Sequence, residues 1–233
     1  MEPIEQLAFV LHSRPFREHQ LIVELLTEQD GKVSAIVYSG KTNKSNKKGL
    51  LQPFSPLNVV LKGNNSLKNL SRVEVAEKSY LLKGDCLYSG FYLNELIVKL
   101  LGELIACPSL FHHYQLSLSL LSKQLPIEPI LRKFELDLLE ELGFSFDFSP
   151  VFEHEVKNFY YIPEEGFIPC TEKINLPLFN ANHLQAISQQ ELSDINVLRS
   201  HKLLMRHVFN GLLGGKPLNS RKLFKRKINL ING

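Results

Sequence analysis

The sequence predicts a two-domain α+β protein, with a small five-stranded β-barrel followed by a mostly α-helical domain. Three observations carry this. Over the first 80 residues, short runs alternate apolar and polar side chains, with turn chemistry between them. After Gly84 the apolar residues recur at three and four positions instead. The chain has 233 residues, 44% of them hydrophobic, which is enough to build one or two domains around buried cores.

The strands come first. Gln6–His12, Gln20–Leu26, Lys32–Tyr38 and Leu57–Lys62 are β-branched and apolar, and Leu67–Ala76 is a more polar fifth run. Gln29-Asp30-Gly31, the stretch from Gly40 to Gly49, and Gly63-Asn64-Asn65 supply the turns. Five short strands in so few residues match the strand count of an OB-like barrel. The helical domain opens with Leu87, Phe91, Leu93, Leu96, Ile97, Leu100, Leu101 and Leu104 at helical spacing. Leu110–Leu121 and Ile127–Leu142 repeat the pattern, and Pro108 and Pro126 stand at the breaks. Phe159–Ile168 reads as a hairpin turning at Glu164-Glu165-Gly166. Helix resumes over about Leu192–Leu213, with a last short helix near Ser220–Lys227. The expected domains are residues 1–80, an OB-fold barrel, and residues 81–233, helical with a short hairpin near 158–170. The boundary is expected near 79–84.

Composition excludes several classes. No apolar run approaches the length of a membrane span. Met1–Val10 carries Glu2 and Glu5 and no basic n-region, which argues against a secretory signal. Cys86, Cys107 and Cys170 are odd in number and widely spaced, which suits a reducing cytoplasm without a disulfide framework.

Charge is segregated along the chain. The net is +3, yet residues 31–72 carry eight basic and no acidic side chains, and residues 195–233 carry nine basic and none acidic. Residues 73–194 hold a net of −10 and residues 1–30 a net of −4. Two acid-free tracts project a positive field that attracts polyanions, and nucleic acid is the commonest in the cytoplasm.

Catalytic motifs fail one by one. Gly40-Lys41-Thr42 ends like a P-loop, but Ala35 stands where the first glycine belongs. His154-Glu155 starts a metalloprotease pattern, but Asn158 occupies the second histidine position. His112 and His113 are adjacent and do not share a helix face, and no serine sits in a nucleophile elbow. The expectation is a protein that is not an enzyme and carries no cofactor or metal.

Five segments together resemble the bacterial RecO family of recombination mediators in its gammaproteobacterial form. They are Ala8–Phe16, Gly49–Pro56, Leu87–Leu96, Leu131–Leu136 with Leu142-Gly143, and Gly214–Leu218 with Ser220-Arg221, in the family's order along nearly the whole chain. The resemblance implies an N-terminal OB domain, a helical C-terminal domain and no catalysis. It implies binding of single- and double-stranded DNA without sequence preference, and annealing of complementary strands coated by single-stranded DNA-binding protein. It further implies help from RecR in loading RecA at gaps, in the cytoplasm, at the nucleoid during repair. Some members hold zinc on four cysteines; here only Cys170 falls in the matching stretch, so a zinc-free hairpin is expected.

For DNA, the first tract offers Lys32, Lys41, Lys44, Lys47, Lys48, Lys62, Lys68 and Arg72, with Lys41–Lys48 in a polar loop whose side chains can reach phosphates. Tyr38 and Phe54 are the nearest stacking candidates, although core packing suits Phe54 better. The second tract offers Lys216, Arg221, Lys222, Lys225, Arg226 and Lys227. On the Ile127–Leu142 helix, Leu136 and Leu139 stand four and seven residues after Arg132 and would line a groove beside its guanidinium, and the resemblance assigns Arg132 to the acidic C-terminal tail of single-stranded DNA-binding protein. Pairing of Arg132 with Glu128 or Glu135 on the same helix is the plainer alternative. An OB-fold RNA-binding or ribosome-associated protein, and an adaptor for acidic proteins, also fit the charge pattern.

Overall fold

In the computed structural model, residues 5–38 and 47–224 are described, the second stretch with side chains from 49 onward. Strands β1 (Glu5–Pro15), β2 (Gln20–Thr27), β3 (Gly31–Tyr38), β4 (Leu57–Lys62) and β5 (Leu67–Val75) form a closed barrel in the order β1-β2-β3-β5-β4. The pairing is antiparallel throughout except between β3 and β5, as an OB barrel requires. All five strands fall where alternation placed them. A one-turn helix, α1 (Lys47–Leu50), precedes β4.

The barrel is filled by Ala8, Val10, Leu21, Val23, Leu25, Ala35, Val37, Leu57, Val59, Leu70 and Val73. The opposite face of β1 and β2 is buried too, since Phe9, Leu11, Ile22 and Leu26 alternate with the core residues and are also shielded from solvent. Two helices cover that side: α2 (Gly84–Leu100) and α3 (Pro108–Ser122). Phe9 lies 5.5 Å from the Phe111 ring and 5.2 Å from Tyr114. Asn94, fully buried on α2, donates to the Leu11 carbonyl at 3.0 Å and accepts from the Tyr114 hydroxyl at 2.7 Å. Burial alone pushes the Tyr114 phenol far above its ordinary pKa, so it stays a neutral donor.

α2 stops at Leu100, four residues before the apolar periodicity does. Leu104 takes φ 58° and donates its N–H to the Lys32 carbonyl, so the segment after α2 docks along β3 rather than continuing as helix. Gly31 has to be glycine, because at φ 67° a Cβ there would lie 1.8 Å from the Ile105 carbonyl oxygen.

The chain forms two compact units. One runs up to Leu125 and takes in the segment from Leu218 onward; the other is Pro126–Pro217. The change from strand to helix near residue 80 therefore does not coincide with the boundary between units, because α2 and α3 cover the barrel. The second unit holds α4 (Ile127–Glu141), α5 (Ser149–Glu153), β6 (Asn158–Ile162), β7 (Gly166–Pro169), β8 (Phe179–Asn180), α6 (Ala181–Ser188) and α7 (Ile195–Leu212). The β6–β7 hairpin lies at the expected place, with Gly166 at φ 78° in its turn. Two residues of β8 add a third strand beside β6, and α5 and α6 are further elements that periodicity did not announce. Phe134, Leu138, Phe159, Phe179, Leu184, Leu204 and Phe209 form the core of this unit.

Candidate nucleic-acid interface

The cations of the first tract have different fates. Lys32 is corrected out of the phosphate set. It is half-buried at the start of β3, and its Nζ donates to the Val98 carbonyl of α2 at 2.9 Å. Burial lowers its pKa, while Glu24 and Glu103 act the other way. Lys32 is therefore a strut between strand and helix. Lys62, at the end of β4, is exposed and has no partner among the described residues. Lys68 donates to the Gly63 carbonyl at 2.9 Å across the β4–β5 turn. Arg72 is exposed but paired with Glu74 at 2.9 Å, just beyond the acid-free tract, and with Glu5 of β1 at 3.6 Å; the Glu74 hydrogen bond chiefly raises its pKa. Lys41 and Lys44 lie outside the described residues. Lys47 and Lys48 open α1, of which only the backbone is described. Tyr38 is 60% exposed at the end of β3, while Phe54 is 5% exposed and packs 5.2 Å from Phe91, so Phe54 is core.

The candidate contacts of the second tract follow Gly214 and Gly215, both at positive φ. Lys216 is exposed, and Arg221 and Lys222 sit in a helical turn over 221–224; none has an acidic partner among the described residues. Lys225, Arg226 and Lys227 lie outside the described residues. One carboxylate holds this segment. Glu95 of α2 accepts from the Asn219 N–H at 2.8 Å, the Ser220 N–H at 2.8 Å and the Ser220 hydroxyl at 2.7 Å, and lies 3.3 Å from Lys99. Phe224 closes edge-on against Tyr88 at 5.6 Å. Burial opposes the charge of Glu95, but the bonds from Ser220, Asn219 and Lys99 outweigh it and hold the carboxyl below its ordinary pKa. Arg221 and Lys222 thus belong to the same unit as the barrel. Sequence reasoning began the second tract's contacts at Lys216 and passed over Arg199 and Arg206, which are exposed seven residues apart on one face of α7.

Arg132 realises the plainer alternative. It is 3% exposed, and its Nη2 lies 2.8 Å from Oε1 of the fully buried Glu135, with Nε 3.9 Å from Glu128. Glu128 is shared with Lys202 of α7. His201 is also buried beside this group, and neither ring nitrogen has a hydrogen-bond partner. Burial, reinforced by the Arg132 charge, pushes its pKa down to about 3, so it is a neutral imidazole. Leu136 is half-buried and Leu139 buried. The guanidinium is therefore not open: Glu135 already occupies the place that a peptide carboxylate would take.

Among the described residues, no group of three or more His, Cys, Asp or Glu is placed to hold a metal ion. No described helix is long and apolar enough to cross a membrane.

A closed OB-type barrel, continued by a helical and partly β-hairpin region, defines an OB protein with an appended helical domain. The two halves match two family models, "Recombination protein O N terminal" over residues 1–79 and "Recombination protein O C terminal" over residues 82–203. The chain is 42% identical to the DNA repair protein RecO of Hahella chejuensis, over 98% of both chains. It is 41% identical to that of Coxiella burnetii, over 93% of this chain and 95% of the relative. It is 38% identical to that of Vibrio cholerae, over 95% and 93%. The chain belongs to the recombination protein O family of DNA repair proteins.

Proposed function

We propose that this protein is a recombination mediator in DNA repair. It binds single- and double-stranded DNA through the backbone, without sequence preference. It anneals complementary strands coated by single-stranded DNA-binding protein and, with RecR, assists RecA at gaps. The observation that carries this is similarity to DNA repair proteins along nearly the whole chain. The barrel and the acid-free tracts support the DNA part. Annealing needs no bond chemistry. A cationic surface lowers the repulsion between two strands, and pairing energy then comes from the strands themselves. Docking on the coat protein would make the second contact intramolecular and so raise its effective concentration.

Docking of the acidic tail at Arg132 requires its terminal carboxylate to replace Glu135 on the guanidinium. Arg132→Ala alone would strand Glu135 as a buried charge, so the informative variant is Arg132→Met with Glu135→Leu, which keeps the volume apolar. Strand annealing with and without the coat protein tests the reading. The wild type should anneal both naked and coated strands, and the double variant only naked ones. If about four cations touch phosphates, log affinity for single strands should fall with log salt at a slope of about −3. Failure to anneal naked strands, or salt-independent binding, would overturn the proposal.

A further inference from the structure

Three of the five segments that carry the family resemblance meet at one cavity of the barrel unit, and the functional reading above leaves it unused. The cavity holds about 480 Å3 and lies between β1, β2, α2 and the segment tied down by Glu95. The first segment contributes Leu11 and Arg14, the third Phe91, Asn94 and Glu95, and the fifth Ser220. Glu24 joins them from β2.

The wall chemistry narrows the occupant. Leu11, Phe91, Val98 and Leu223 make much of the lining apolar, and the volume falls within the roughly 300–1,000 Å3 of small-ligand sites. The amide of Asn94 is spent on the Leu11 carbonyl and the Tyr114 hydroxyl, and Glu95 is filled by Asn219, Ser220 and Lys99. Glu24 is different. Its Oε2 is shielded from solvent and has no hydrogen-bond partner, although the Lys32 ammonium lies close enough to act on its charge. A buried carboxylate oxygen without a donor is costly, and an N–H group arriving in the cavity would relieve it. The lining sets two carboxylates, Glu24 and Glu95, against two cations, Arg14 and Lys99, so its formal charge is balanced and it favours no net charge on the occupant. The occupant is therefore a flat, uncharged group with N–H donors on its edge. Arg14 in the lining is exposed, has no partner among the described residues and can take the phosphate attached to such a group.

We propose that this cavity seats one unstacked nucleobase of a bound single strand, and that guanine fits best. Guanine alone presents two adjacent N–H donors, N1–H and N2–H, to a carboxylate, while Phe91 and the aliphatic walls cover its faces. This rests on the DNA-binding reading and departs from it in one respect, replacing strict sequence indifference with a modest bias in where along a strand the protein rests, while the backbone still supplies most of the affinity.

The test uses the full chain and three fluorescein-labelled 15-mers: all thymine, thymine with one central guanine, and thymine with one central inosine, which lacks the N2 amine. Binding is followed by anisotropy at fixed salt. The guanine strand should bind roughly fivefold or more tighter than the thymine strand, the lower end for a two-bond base contact. Inosine should lose a substantial part of that gain. Glu24→Gln, whose amide cannot accept both N–H groups, should bring the guanine-to-thymine ratio close to one. Should Glu24→Gln fail to fold, the inosine strand still reads the same hydrogen bond with the protein intact. Equal wild-type affinities for all three strands would overturn the base seat while leaving DNA binding standing. A guanine gain that survives in inosine and in Glu24→Gln would overturn the role of the carboxylate. No binding to any strand would overturn the base seat together with the reading it rests on.

Discussion

Glu95 in the barrel unit and Arg132 in the helical unit are both charges taken largely out of water, and they are satisfied in opposite ways. Glu95 collects donors from Asn219 and Ser220, some 125 positions away, so its charge is the clasp that draws a distant segment onto α2. Arg132 finds its acceptors three and four residues off on its own helix. It ties nothing distant, and its neighbourhood still holds a buried imidazole with no partner. A buried charge that reaches across the chain specifies tertiary structure. One answered locally leaves its surroundings under-satisfied and costs stability unless something else uses it.

Four measurements would break or sharpen that contrast. The largest effect is expected in the helical unit. Glu135→Leu leaves the Arg132 guanidinium buried without its closest acceptor and should lower unfolding stability in urea by about 3–5 kcal/mol, whereas Arg132→Met with Glu135→Leu should stay near the wild type. In the barrel unit, Glu95→Ala removes an acceptor serving three hydrogen bonds of the segment after Gly215. Limited proteolysis there should accelerate by at least on the order of tenfold, with little change in the barrel's own resistance. An unchanged digestion pattern would mean that Phe224 and Leu223 hold the segment without the clasp.

Third comes acidity. His201 has a folded pKa of about 3, against an ordinary value near 6.5. Between these values the unfolded chain binds the extra proton and the folded one does not, so stability rises with pH in that window. It is lost as pH falls from about 6.5 toward 3, at up to about 1.4 kcal/mol per pH unit. His201→Leu should flatten this stretch of the stability–pH curve; an unaltered slope would show that His201 is not the group responsible. The smallest effect concerns DNA. Lys62→Ala should reduce the salt slope for single strands by about 0.7, while Lys32→Ala, whose ammonium is spent on Val98, should leave the slope as it is.

Much of the architecture was readable in advance, and the misses have physical causes. Alternation placed all five barrel strands, because an inner face filled by Val, Leu and Ala enforces a period of two on each of them. The Glu164-Glu165-Gly166 turn announced its hairpin. β8 and α6 escaped because two residues, or two turns, are too short for a periodic signal. The partners of Arg132 were visible in helical spacing, but its burial was not. Likewise Lys32 reads as a free cation in an acid-free tract, and only the crossing of α2 over β3 reveals its carbonyl partner. Glu95 was an ordinary surface acid in the sequence, and its role arises wholly from a segment far along the chain.

The discontinuity of the barrel unit has a consequence for how the molecule is made. Its first 125 residues leave the ribosome early, yet one wall of the unit is supplied by residues 218–224, after the whole helical unit has been synthesised. A nascent chain can close the barrel and dock α2 while the carboxylate of Glu95 still waits for its donors. Maturation of the amino-terminal half is therefore set by the slowest arrival, and a ribosome stalled near residue 210 would display it in a half-finished state.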